Sequence, residues 1–423
     1  MRVERLELTN FRGIRQLDLE FPTQITVLVG INGVGKSAIL DALALLMGQI
    51  FNGLLSRLPL AEEPRLNESD IRVGAKDLKL AIGIDDEDRQ FAWSMTAKDP
   101  YWTILEDPEL NGDLPFVRGR FLSQGRRSFP LVVQYSTSRG QWSNTHHTDV
   151  TTPANPLEAL KNALPAGMGT FDKFYAWFRE REDIENEERA QGKIDFKDPQ
   201  LEAVRSAVAA LLQGFSQLRI ERKRRRMTVQ KNDEFLDVTQ LSSGEKALLT
   251  LVSDLARRLS IANPESANPR LEEGVVLIDE VDLHLHPRWQ RTLLPSLART
   301  FPKCQFIVTT HSPQVISEVK PECIYLLERK DGETIARRPE ASFGLDSNRI
   351  LEDLMGADAR NPSIKEQLTR FFRLIDEGKL DEAKALRREL EAEIGSDEPN
   401  FAKGEVLIRR KEMLAGASHR PQR

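Results

Sequence analysis

Gly30-Ile31-Asn32-Gly33-Val34-Gly35-Lys36-Ser37 follows the unbroken apolar run Ile25-Thr26-Val27-Leu28-Val29 and precedes an apolar stretch from Ala38 to Met47. A continuous apolar run of that length reads as a strand covered on both faces, and the stretch after it as a helix, so the glycine-rich segment sits at a strand–loop–helix junction. That context makes it a phosphate-binding loop. Its glycines let the backbone curl so that N–H groups face the α- and β-phosphates of a nucleotide, and the helix amino end adds partial positive charge. Asn32, Gly33 and Gly35 are expected to form the cradle, Lys36 to reach the β- and γ-phosphates of ATP, and the Ser37 hydroxyl to ligate Mg2+. A glycine-rich turn with no ligand would not be followed downstream by the further motifs found here in the order this chemistry needs.

Val275-Val276-Leu277-Ile278-Asp279-Glu280 is a second buried strand, and it ends in two acids. Carboxylates at a core edge are costly unless they meet a cation or a proton-bearing partner. Asp279 is therefore expected to hold Mg2+ and Glu280 to polarise the attacking water as general base. Leu241-Ser242-Ser243-Gly244-Glu245-Lys246 precedes an amphipathic helix through Leu248, Leu249, Leu251, Val252 and Leu255, with Ser242 or Ser243 as its amino-terminal cap.

This last segment resembles the signature motif of ABC ATPases. The resemblance implies that Ser242 and Gly244 contact the γ-phosphate of a nucleotide held by a second copy, so that ATP joins two heads. Asp282 and His311 match the D-loop and switch histidine of the same superfamily, and His311 follows the strand Phe306-Ile307-Val308 with two threonines between. His284 and His286 alternate as a metal pair would, but His286-Pro287 resembles the turn that closes the D-loop.

Asn10-Phe11-Arg12-Gly13, the Leu-Ser-Ser-Gly-Glu segment and Asp279-Glu280-Val281-Asp282-Leu283-His284-Leu285-His286-Pro287 together resemble the RecF, Rad50 and OLD-like branch rather than transporter ATPases. Ser69 to Ala75, Tyr135-Ser136-Thr137-Ser138-Arg139 and Arg349 to Gly356 narrow the resemblance to the family of ATP-binding proteins that includes the Septu (PtuA-like) and retron-associated anti-phage ATPases. Asp70 stands where relatives carry a Q-loop glutamine, and Ser136 replaces a glycine, so for Tyr135 and Arg139 a structural loop and a nucleotide contact both remain open.

The expected fold is α/β: a P-loop NTPase with an ABC-ATPase head, made of a mixed sheet core and an antiparallel β lobe, with a helical insertion and a helical C-terminal region. Residues 1–154 are assigned to an N-terminal lobe, 155–215 to the insertion, 216–340 to a C-terminal lobe with the signature, acidic strand and switch histidine, and 341–423 to the terminal helices. Val3, Leu6, Leu8 and Phe11, then Ile14, Leu17, Leu19 and Phe21, mark two strands around Gly13, and several short strands are expected between residues 71 and 135. The charge-rich segment Arg179 to Arg189 reads as a solvated helix face. Ile364, Leu368, Phe371, Phe372 and Ile375, then Leu380, Ala383, Leu386 and Leu390, form helical seams.

With 423 residues, 40% hydrophobic and 30% charged, the chain can bury a large core. It lacks any apolar run near the roughly 18 residues of a membrane span. The amino terminus shows no secretory signal, and two cysteines, Cys304 and Cys323, fit a reducing interior, so a cytoplasmic location is expected. A net charge of −5 gives no global attraction to nucleic acid or to an anionic membrane. The densest basic run, Arg219 to Arg226, is either a strand pair with solvated arginines or a surface for nucleic acid or an acidic partner.

No acidic cluster on a strand pattern follows His311, so an intrinsic nuclease is not expected, and the short, cysteine-free insertion excludes a long coiled-coil tether. The leading reading is an Mg-dependent ATPase, a homodimer or higher oligomer, that regulates a separately encoded HNH-type or other nuclease in anti-phage defence, with retron RNA or DNA or phage DNA as a further partner. The alternatives are a RecF-like DNA-repair ATPase and a nucleotide-gated scaffold that does not hydrolyse, against which Glu280 argues.

Overall fold

The computed structural model describes residues 1–51, 65–86, 89–98, 103–104, 112–122, 129–137, 155–164 and 171–417. Arg139 lies outside the described residues. The chain divides into two compact units, Met1–Ile350 and Leu351–Arg423.

In the first unit the buried apolar runs become the parallel strands of a six-stranded mixed sheet. Numbered in chain order, they are β3 (Ile25–Gly30), β7 (Leu131–Tyr135), β11 (Gly274–Ile278), β12 (Cys304–Thr310) and β13 (Ile324–Lys330). The edge strand β14 (Glu333–Arg337) runs antiparallel to β13, giving the order β14-β13-β3-β12-β11-β7. Every residue of β11 and β12 is buried, the state that the unbroken Val275-Val276-Leu277-Ile278 run of β11 requires.

Alternating sequences build the other sheets. β1 (Arg2–Phe11), β2 (Ile14–Glu20), β4 (Asp77–Asp86), β5 (Arg89–Lys98) and β6 (Thr103–Ile104) form an antiparallel sheet in the order β2-β1-β4-β5-β6. Val3, Leu6, Leu8 and Phe11 face its core. Arg12 and Gly13 make the β1–β2 turn, since Phe11 pairs with Ile14. A third, three-stranded sheet joins β8 (Phe215–Glu221), β9 (Arg226–Lys231) and β10 (Glu234–Asp237).

Helices α1 (Lys36–Gly48), α2 (Leu114–Leu122), α3 (Phe171–Ala190), α4 (Pro199–Leu211), α5 (Ser243–Ala262), α6 (Pro287–Thr300), α7 (Pro313–Ile316) and α8 (Ser347–Asp353) complete the first unit and its end. α1 is apolar almost all round and is buried from Ala38 to Gly48 except at Asp41, as a helix without a polar face must be. Among the described residues no helix is long and apolar enough to cross a membrane.

Two readings need correction. α2 lies where only short strands were expected, because its 9 residues, with Pro115 and Gly119 among them, span too little sequence to show a helical period. The charged stretch of α3 is not simply a solvated face. Glu182 and Glu185 are buried, and their carboxylates accept from Arg205 of α4 at 3.2 and 2.9 Å. Burial is tolerable here because each acid meets a guanidinium and a backbone N–H, those of Ile220 and Asp198.

In the second unit, α9 (Pro362–Asp376), α10 (Leu380–Ile394) and α11 (Pro399–Ala417) enclose a core of Phe371, Ile375, Leu390 and Phe401. Phe372, expected on the seam, is only partly buried.

Helix α5 is anchored by a buried ionic cluster. Asp254 accepts from Arg258 at 2.7 Å, from Arg257 at 2.7 Å and from the Tyr135 hydroxyl at 3.1 Å, and Arg258 also donates to the carbonyl of Lys161 at 3.1 Å. Burial alone would push the Asp254 carboxyl up, but Arg258 and Arg257 outweigh it and hold it well below the usual carboxylate range. Asp254→Asn leaves a buried guanidinium uncompensated and is expected to lower stability to chemical denaturation by about 3–5 kcal/mol. Because the folded value is depressed, the wild-type contribution is fully present above the unfolded value of about 3.9 and disappears only as pH falls through the lower folded value. The gap between wild type and variant should therefore hold at neutral pH and shrink in strong acid.

Candidate functional site

Strands β3, β12 and β11 are parallel neighbours, with Val29 opposite Thr310 and Val308 opposite Ile278. Their carboxyl ends therefore open on one edge of the sheet, where α/β folds bind ligands. Residues 30–37, the acids after Ile278, and His311 all leave from this edge.

The glycine-rich loop turns through left-handed backbone at Gly33 (φ 78°) and Gly35 (φ 111°), conformations that a side chain would strain. Val34 plugs into the core, and its carbonyl accepts from the Thr334 hydroxyl at 3.0 Å, while Asn32 and Gly33 face outward. The amino end of α1 has Gly35 at the cap position, with no side-chain cap and no acid in the first turn. No acidic residue of α1 itself therefore offsets the helix dipole there. Lys36 is buried and curls back to donate to the carbonyls of Gly30 at 2.8 Å and Ile31 at 3.0 Å. Burial lowers its pKa, against the opposing pull of Asp279, Glu280 and Asp282.

The acids are fixed by hydroxyls. Asp279 accepts from the Ser37 hydroxyl at 2.8 Å on one carboxylate oxygen and from the Thr309 hydroxyl at 2.6 Å on the other. Glu280 sits at φ 45°, and its N–H donates to Thr309 Oγ1 at 2.7 Å. The Thr310 hydroxyl donates to Asp282. His311 is half-buried, and its pKa is lowered by burial and then by the charge of Lys36, with Asp282, Glu280 and Asp279 pulling the other way. Its imidazole is thus biased toward the neutral form at physiological pH.

Around this core, Arg12 joins the β1–β2 turn to α1. It donates to Asp70 at 2.8 Å and to Asp41, whose other oxygen accepts from Gln134 at 2.7 Å. Asp70 is buried and also caps the Asn67 N–H at 2.9 Å, which is a structural clamp. Tyr135 is buried, with its carbonyl accepting from the Asp279 N–H at 2.9 Å.

Ser242 caps α5 in a reciprocal box with Glu245, whose carboxylate also pairs with Lys231 at 2.6 Å. Ser242 and Ser243 are exposed, whereas Gly244 is buried, and a Cβ there would lie 2.5 Å from the carbonyl oxygen of His284. His286 Nδ1 accepts from the Arg288 N–H at 3.2 Å and caps α6, with Pro287 as the first helical residue. Among the described residues no three His, Cys, Asp or Glu side chains gather as a metal cage.

Thr309, Thr310, Asp41 and Gln134 escaped the sequence reading as site residues. The one visible signal was a pair of threonines ending an otherwise apolar strand. The basic run is partly paired within the chain, while Lys223, Arg224 and Arg225 are exposed. Arg222 pairs with Glu182 and Asp183, both at 2.7 Å, Arg226 with Glu221 at 2.6 Å, and Arg219 lies 4.3 Å over the Phe235 ring.

The chain is similar to known proteins over most of its length. The chain is 29% identical to the Escherichia coli "Retron Ec83 probable ATPase", covering 97% of this chain and 87% of that protein. It is 26% identical to the Bacillus thuringiensis "Septu protein PtuA" over 89% of each. Among solved structures, the SMC head domain from Thermotoga maritima aligns with a TM-score of 0.46 at 17% identity, covering 81% of this chain and 100% of that one. Residues 25–317 match the family model described as "AAA domain, putative AbiEii toxin, Type IV TA system", and the chain belongs to this AAA_21 family.

Proposed function

We propose that the chain binds ATP with Mg2+ on the edge formed by β3, β12 and β11, hydrolyses it, and uses the nucleotide to join two copies of itself. The observation that carries this reading is the hydrogen bond from Ser37, in the first turn of the helix after the phosphate-binding loop, to Asp279 at the end of β11. Two hard oxygen donors side by side suit Mg2+, which takes one or two protein oxygens and completes its shell with phosphates and water. Ser37 and Asp279 would hold it, and its charge would offset that of the phosphates.

The other residues take roles their positions favour. The α1 amino end and the loop amides bind the phosphates, and Lys36 exchanges its own-loop carbonyls for β- and γ-phosphate oxygens. Glu280 takes a proton from water as the water oxygen attacks the γ-phosphorus and ADP leaves. His311, neutral, donates or accepts a hydrogen bond at the γ-phosphate. The exposed Ser242 end of α5 is a second helix amino terminus, available to a nucleotide held by another copy.

The relatives named for retron and Septu systems support a place in anti-phage defence, with the ATPase acting as clamp and timer for a separately encoded nuclease. A repair ATPase that reads DNA through Arg222 to Arg226 is less favoured, because Arg222 and Arg226 already hold carboxylates of their own chain.

Lys36→Ala is expected to weaken nucleotide binding at least 10-fold, roughly the loss of one charge-assisted contact, measured with a fluorescent ATP analogue. Glu280→Gln should keep that affinity, lower turnover by about 10²–10⁴-fold, and raise the dimer fraction in ATP on analytical ultracentrifugation. Unchanged turnover in both variants would remove the site assignment. For the defence role, tagged Glu280→Gln purified from its native host with ATP should retain a nuclease in fixed stoichiometry, whereas repair factors and DNA alone would favour the repair reading.

A further inference from the structure

Thr309 is fully buried, and it contacts three consecutive residues beyond β11. Its hydroxyl donates to Asp279 Oδ1 at 2.6 Å and accepts from the Glu280 N–H at 2.7 Å, while its carbonyl accepts from the Val281 N–H at 2.9 Å. A hydroxyl has one proton to give, and here it is committed to the carboxylate, so its lone pair faces the amide. The direction of both bonds is therefore set.

The second bond matters most because of where Glu280 stands. Its φ of 45° is in the left-handed region, which a side-chain-bearing residue adopts only when its surroundings hold it there. The Thr309 hydroxyl receives the N–H of that residue, and the Glu280 carbonyl receives the N–H of Leu283 at 2.9 Å. Backbone direction at Glu280 decides where its carboxylate points. The same hydroxyl orients Asp279, whose second oxygen meets Ser37 at 2.8 Å. Ser37, Asp279, Thr309 and Glu280 thus form one hydrogen-bonded chain from the phosphate-binding loop to the acid that follows β11.

We propose that Thr309 is a positioning residue for hydrolysis: it aims Glu280 at the attacking water and fixes Asp279 toward Ser37, without touching nucleotide itself. This rests on the assignment of Glu280 as general base. Because the phosphate contacts are made by the loop and Lys36, and Ser37 still holds Asp279, loss of the Thr309 hydroxyl acts chiefly on the chemical step.

The test is Thr309→Val, which keeps the shape and removes the hydroxyl, beside Thr309→Ser, which keeps the hydroxyl. Thr309→Val is expected to lower kcat on the order of 10²-fold, the effect of a small misplacement of a reacting group, with KM and analogue affinity within about 3-fold of wild type. In nucleotide-free protein, amide hydrogen exchange in the segment Asp279–Leu283 should speed up in Thr309→Val, and Thr309→Ser should restore both exchange and turnover. Turnover per folded molecule equal to wild type in Thr309→Val, or no restoration by serine, overturns the proposal. Should Thr309→Val not fold, the wild-type Glu280 amide decides: slow exchange with a rate-competent Thr309→Ser supports it, and exchange at the rate of an open loop overturns it. If Lys36→Ala and Glu280→Gln also turn over normally, the ATPase reading itself fails; if those two are impaired and Thr309→Val is not, only the positioning role falls.

Discussion

The carboxylate of Asp279 is shared between two hydroxyls that come from elements far apart in sequence, Ser37 at the start of α1 and Thr309 near the end of β12. The candidate site depends on this three-way meeting. It ties the phosphate-binding loop to the acidic strand across the β12 strand that separates them in the sheet, and it does so at the edge where all three strands end. A carboxylate accepts up to about four hydrogen bonds, so the two hydroxyls orient Asp279 without exhausting it.

Behind that meeting lies a shell of buried and half-buried charge. Arg12 spans Asp70 and Asp41, Gln134 braces Asp41, and the Asp254 cluster holds Tyr135, whose backbone carbonyl receives the Asp279 amide. Buried ion pairs of this kind add little net stability relative to an apolar core, but breaking one is expensive. Their effect here is to give α1, β7 and α5 defined orientations around the strand ends.

The fold was legible where one residue pattern could be satisfied in only one way. Unbroken runs such as Val275 to Ile278 demanded cover on both faces, and Gly33 and Gly35 between strand and helix demanded a left-handed turn. The acids and Ser37 could be placed together because the loop, the acidic strand and His311 each carried their own local signature. What stayed hidden depends on partners distant in the chain. Nothing in the sequence around Glu182 reveals that Arg205 and Arg222 will meet it, so a charged helix read as solvated. Thr309 looks like any polar residue ending a strand until β12 is placed beside β11. α2 is too short to declare its period, and the arginines of the run at 219–226 showed their charge but not the acids that pair with Arg222 and Arg226.

The close approach of Gly244 to the His284 carbonyl makes the start of α5 a bearing surface with no clearance. One turn of the same helix after another, Asp254 grips Tyr135, and Tyr135 grips Asp279. α5 is therefore seated against the segment after β11 at Gly244 and linked to it at Asp254 only through Tyr135 of β7. A side chain at position 244 would therefore have to push the His284 backbone aside, and with it the segment that leads from the acids into α6.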